Sequence, residues 1–139
     1  MKDLIYKHET VDDIQMKFMD KDIELWKEDI SIIRIEILFF KRMLYSSIFK
    51  DLESDQQKKE DLIKDLEKVK EINESYQDKL IDFINKLDNI KECDDVQCET
   101  FYLNNHTKFR NDIESHFSAY RFYKTNVILF FDNCLEDRM

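Results

Sequence analysis

The sequence predicts an all-α protein, an antiparallel up-down-up bundle of three long helices, and three observations carry that prediction. The first is that the 139 residues include no glycine and no proline. Average usage would supply about 17 of the two together in a chain this long. Gly provides positive-φ turns and phosphate-cradling loops, and Pro breaks helices, so their joint absence argues against hairpins, P-loops and Rossmann turns. The second is that apolar residues recur at alternating steps of three and four in three separate windows, the pattern of helices sharing a seam. The third is a polar capping signal at the start of each window, where a side-chain oxygen can satisfy the orphan amides of a first turn.

The first helix is expected over 11–50, opened by Thr10-x-x-Asp13, with a seam of Met16, Met19, Ile23, Trp26, Ile30, Ile33, Ile37, Phe40 and Leu44. The second is expected over 55–92, opened by Ser54-x-x-Gln57, with Leu62, Leu66, Val69, Asn73, Tyr76, Leu80, Phe83, Leu87 and Ile90 in register. The third is expected over 96–134, with Asp94-x-x-Gln97 marking its start and Asp94 or Asp95 as its cap. Its seam runs Tyr102, His106, Phe109, Ile113, His116, Tyr120, Tyr123, Val127, Phe130 and Cys134. At 1.5 Å per residue each helix would be about 57 Å long. Connections of only about three or four residues make sequential neighbours antiparallel. The chain then reads as a single domain over residues 1–139, with residues 1–10 as a flexible arm. An alternative breaks the first helix near Asp20-Lys21-Asp22 and gives a four-helix bundle with a short first helix. Ala119 is the only alanine, so the helices depend on tertiary packing rather than intrinsic propensity.

The seams contain three clearly polar residues, Asn73, His106 and His116. Turns centred near residues 52 and 94 place Asn73 opposite residues 115–116, so Asn73 and His116 should share one central layer. A polar pair inside an apolar seam costs stability unless its hydrogen bonds are met, and its best-attested use is to fix register and partner number. His106 should lie beside Phe83 and near residues 19–22, an edge histidine satisfied by Asp22 or by water.

Several function classes are disfavoured. A net charge of −9 without a basic face argues against a nucleic-acid partner. The longest run free of Asp, Glu, Lys and Arg is the eight residues Thr100–Thr107, whereas a membrane span needs about 18 or more apolar residues. The opening M-K-D-L-I-Y-K-H-E lacks the apolar core of a secretory signal, and three cysteines without such a leader fit reduced thiols in the cytoplasm. Two-metal bundles need inward carboxylates and Glu-x-x-His pairs. Here Ile113 precedes His116 by three and Leu103 precedes His106 by three, and the seams hold no Asp or Glu. No clustered nucleophile and base suggest catalysis. The alternating charges of K-K-E-D-L-I-K-D-L-E-K-V-K-E in the second helix describe a solvated face. The sequence therefore predicts no enzyme activity and no cofactor.

The stretch K-E-C-D-D-V-Q-C-E-T, residues 91–100, reads chiefly as a helix junction. Its C-x4-C spacing leaves a Cys93–Cys98 disulfide open, and a metal site open too, if His8 joins Cys93 and Cys98 at that end. Cys134 lies far along the third helix and cannot take part.

Apolar content exceeds what the seams use. The first helix carries a second stripe, Phe18, Leu25, Ile32 and Phe39, seven residues apart, and the third adds Phe122 and Leu129. Either one wide core absorbs these residues or they form a surface for a partner. The leading expectation is a non-catalytic interaction or scaffolding module that self-associates as a homodimer through the aromatic-rich ends of helices one and three. Two alternatives stay open: an adaptor binding another protein's helix, and a small-molecule or metal-binding bundle with a cavity lined by His116, Asn73, Tyr76 and Tyr120.

The segment W-K-E-D-I-S-I-I-R-I-E-I-L-F-F-K-R, Trp26 to Arg42, resembles the leading helix of small uncharacterised bacterial helical proteins. That resemblance covers about a quarter of the chain and implies no activity or site. The bundle is also similar in shape to spectrin-like repeats, from which it departs in its longer helices and lack of tandem repetition.

Overall fold

The computed structural model describes residues 11–49 and 56–138, and within them the chain is three helices and two short 3₁₀ turns. Helix α1 spans Val11–Leu44, α2 spans Gln56–Leu87 and α3 spans Val96–Arg138. All three pack on one another, so the fold is the all-α three-helix bundle that the seams predict. The break near residues 20–22 does not occur: α1 is continuous, because nothing in Asp20-Lys21-Asp22 removes a backbone donor and both neighbouring seam residues, Met19 and Ile23, are buried.

Helix α1 ends at Leu44 rather than near residue 50. The Ser46 hydroxyl and the Ser46 amide both donate to the Met43 carbonyl, at 2.9 and 3.1 Å, and the Tyr45 amide donates to Lys41 at 3.1 Å. The Tyr45 bond is still an i→i−4 helical bond, whereas the two Ser46 bonds occupy the Met43 carbonyl that a further turn would need. With no glycine to adopt a left-handed cap, the chain leaves through a 3₁₀ turn, Ser47–Phe49. Helix α2 likewise gives way at Leu87 to the 3₁₀ turn Asp88–Glu92, where an α-helix to residue 92 was expected. No described residue has a positive φ. Helix α3 runs past the expected residue 134 because Leu135-Glu136-Asp137-Arg138 contains no breaker. Thr10 and Ser54, the expected caps of α1 and α2, lie outside the described residues.

Helices α1 and α3 run side by side in the same direction, with α2 antiparallel to both. At one end Trp26 packs on Phe109 with ring centroids 5.3 Å apart. At the other Phe40 lies 6.4 Å from Tyr123 and 6.3 Å from Phe131. The core follows the predicted seams closely: every α1 seam residue from Met19 to Leu44 is buried, and so are Leu66, Leu80, Phe83, Ile113, Val127 and Cys134. Phe117 and Phe131, which the seam did not include, are buried as well, so the apolar stripe of α3 is wider than a two-position heptad seam. Burying a Leu, Ile or Phe side chain is worth about 1.5–3 kcal/mol relative to exposure, and this core holds the helices together in place of alanine-based propensity.

Candidate functional site

Asn73 and His116 meet at mid-bundle. Asn73 on α2 is 2% exposed and His116 on α3 is 6% exposed. The Asn73 Nδ2 amide donates to the Ile30 carbonyl of α1 at 3.1 Å, and its Oδ1 lies 2.9 Å from His116 Nε2. Because the Nδ2 end must face the Ile30 carbonyl, Oδ1 can only accept, which puts the imidazole proton on Nε2. Burial lowers the His116 pKa from the ordinary 6.5 and keeps the ring neutral. The Tyr76 ring stacks on it, 5.0 Å away and within 9° of parallel, and the Tyr76 hydroxyl donates to the Asp112 carbonyl at 3.1 Å. One layer therefore joins all three helices through a side-chain amide, an imidazole and a main-chain carbonyl.

A second histidine lies toward the α2–α3 turn. His106 is 7% exposed and stacks on Trp26, 5.5 Å away. Its Nε2 is 3.1 Å from Asp22 Oδ2, and Arg110 reaches the same oxygen at 3.6 Å. The His106 and Asp22 atoms make no well-aligned hydrogen bond, so the contact is an ion-pair-range approach rather than a directed bond. Burial lowers the His106 pKa and outweighs the upward pull of Asp22. The ring is held as a neutral imidazole against a mostly covered carboxylate.

Two further tyrosines clamp the opposite end. Tyr120 donates to Glu36 Oε1 at 3.1 Å, and Lys124 pairs with the other oxygen of Glu36. Tyr123 donates to the Leu62 carbonyl at 3.1 Å. Burial, reinforced by Glu36 for Tyr120 and by Asp65 for Tyr123, pushes both phenols far above their usual range. They stay protonated donors. Both were read from sequence as seam aromatics; only the rotation of α3 against its neighbours determines where each hydroxyl lands.

The C-x4-C junction is a disulfide, where reduced thiols were expected: Cys93 and Cys98 are bonded, with their Cα atoms 5.6 Å apart. The physical reason is the cap between them. Asp95 Oδ1 accepts the Cys98 amide at 2.8 Å, which folds the first turn of α3 back over the end of the preceding 3₁₀ turn. Two sulfurs bonded to each other offer no thiolate pair to a metal, and His8 lies outside the described residues. Among the described residues no cluster of three or more His, Cys, Asp or Glu side chains is placed to hold a metal ion. Cys134 is buried at the far end of α3.

The surplus apolar residues stay outside the core. Phe18, Leu25, Ile32 and Phe39 on α1 are all exposed, as are Phe122 and Leu129 on α3. They do not form one surface. Phe39 shares a groove of about 590 Å³ between α1 and α3 with Ile35, Phe40, Ile128, Phe131 and Leu135. Phe18 lines a second groove between the same two helices, near Leu103, Thr107 and Arg110. Leu129 instead lines a third groove with Lys58, Asp61 and Asn126, between α2 and α3. Ile35, Ile128 and Leu135 are apolar wall residues that the seven-residue stripe did not single out. Their three- and four-residue offsets from Ile32 and Phe131 were the available signal.

No helix among the described residues is long and apolar enough to cross a membrane. No protein-family model, curated protein or solved structure matches the chain.

Proposed function

We propose that this chain is a non-catalytic helical interaction module that associates with itself through the apolar face shared by α1 and α3. The observation that carries this reading is the groove walled by Ile35, Phe39, Ile128 and Leu135, together with exposed Ile32, Leu25 and Phe18 spaced at seven-residue intervals along α1. An apolar face of that length on a chain of net charge −9 is costly to leave in water and normally marks a protein–protein contact. The reactive-looking groups support a structural role. His116 commits Nε2 to Asn73 inside the core, His106 lies between Trp26 and Asp22, and the Tyr120 and Tyr123 hydroxyls are engaged across helices. Of these, His106 lines the groove shared by Phe18 and Arg110, which is open to solvent rather than water-excluding.

The test is solution mass. Sedimentation equilibrium from about 1 to 100 μM should show a dimer, with helical content unchanged across the range. A monomer throughout would remove self-association and leave the same groove to the helix of a different protein.

A further inference from the structure

We infer that the second copy docks antiparallel, α1 against α1, about a two-fold axis crossing the helices between residues 28 and 29; this rests on the self-association reading above. The stripe Phe18, Leu25, Ile32, Phe39 is aromatic, aliphatic, aliphatic, aromatic from either end. Phe18 and Phe39 share a midpoint with Leu25 and Ile32, so a two-fold there sets Phe18 against the partner's Phe39 and Leu25 against the partner's Ile32. An isologous interface requires that kind of self-complementarity. A parallel dimer would instead set each residue on its own copy, which puts Lys21 against Lys21 and Glu36 against Glu36 along the flanks of the stripe.

The grooves fit the antiparallel arrangement. The partner's Phe18 arrives at the apolar groove walled by Ile35, Phe39, Ile128 and Leu135, and Phe39 arrives at the groove that Phe18 lines on the partner. Lys21, one turn from Phe18, comes opposite Glu36 of the other copy, where its methylenes cover apolar surface beside Ile35 and its ammonium reaches toward the Glu36 carboxylate. Seven half-exposed apolar residues at about 100 Å² each give about 700 Å² per copy, near the ~800 Å² per partner of a standard stable interface. The stripe is about 32 Å long from Phe18 to Phe39. Its seven-residue spacing drifts slowly round a straight helix, which suits the shallow crossing of two packed helices. Phe122 and Leu129 lie outside this contact.

Two sets of variants test the geometry. By solution mass, Phe18→Asp and Phe39→Asp should each convert the dimer to monomer, raising the dissociation constant at least 100-fold with helical circular dichroism retained. Phe122→Asp should leave the dimer intact. In a Cys93→Ser, Cys98→Ser background, a short bis-maleimide should cross-link Glu28→Cys into covalent dimers and fail with Arg42→Cys, whose two copies lie about 40 Å apart along the antiparallel pair. Cross-linking of Arg42→Cys would overturn the antiparallel arrangement in favour of a parallel one. A dimer lost in Phe122→Asp but kept in Phe18→Asp would overturn the α1 contact while leaving self-association standing. A monomeric wild type would overturn both.

Discussion

Asn73 and His116 are each useful only because the other is present. Asn73→Leu alone leaves a buried N–H on His116 without an acceptor and should cost about 2–4 kcal/mol in urea unfolding. Adding His116→Leu removes that orphan and should restore most of the loss, giving a coupling above about 1 kcal/mol between the two sites. Additive effects would mean that the 2.9 Å contact carries no net energy. The histidines also set a pH dependence whose sign follows from burial. Both His106 and His116 have pKa values lowered from 6.5, so below that pH the unfolded chain takes up protons that the folded chain resists. Their contribution to stability is fully present above about pH 6.5 and falls as the pH drops toward their folded values, by at most about 1.4 kcal/mol per pH unit for each histidine. Thermal unfolding at pH 7.5, 6.5, 5.5 and 5.0 should show a flat upper limb and a decline through the lower three. The His116→Leu, Asn73→Leu double variant should have a shallower decline.

At the scale of the elements, the helix ends differ most from the sequence reading. The seams of α1 and α3 were legible because every third or fourth residue is apolar and no breaker intervenes, so a one-dimensional pattern specified the buried face from Met19 to Cys134. The ends were not legible in the same way. In a chain without glycine or proline, α1 stops where Ser46 competes for the Met43 carbonyl, and α2 tightens into 3₁₀ geometry over Asp88–Glu92. Such local competitions have no periodic signature. The disulfide illustrates the same point: five residues of separation allow several geometries, and the Asp95 cap selects the one that brings the sulfurs together. Reduction should therefore loosen the α2–α3 junction without dissolving the helices. Closing a loop of about six residues is worth about 2 kcal/mol in the chain-entropy account. A dithiol reductant should lower the unfolding midpoint by several degrees, and Cys93→Ser with Cys98→Ser should reproduce that shift and be insensitive to the reductant. Asp95→Ala should cost a further ~0.5–2 kcal/mol through loss of the cap.

For the whole molecule, the register of the bundle could be read from two turn centres, and that sufficed to bring Asn73 to His116 and Asp22 to His106. What the sequence could not supply was the rotation of each helix about its own axis. That rotation sends Phe39 and Leu129 to different grooves, and it aims Tyr120 at Glu36 and Tyr123 at the Leu62 carbonyl. It also determines how the surplus apolar surface and the charge compete when two copies meet. Each chain carries a net charge of −9, and the antiparallel contact places Glu28 and Asp29 close to their own copies at the two-fold axis. Association driven by apolar contact between like-charged bodies must overcome that repulsion, which salt screens over roughly 10 Å at 0.1 M. The dissociation constant should therefore fall as sodium chloride rises from 50 to 500 mM, and Glu28→Gln should lower it at 50 mM while reducing the salt dependence. A contact built on charge complementarity would respond in the opposite direction, weakening with salt. Sedimentation at two salt concentrations on the wild type and Glu28→Gln thus separates an apolar stripe closing on itself from an electrostatic pairing of the acidic chains.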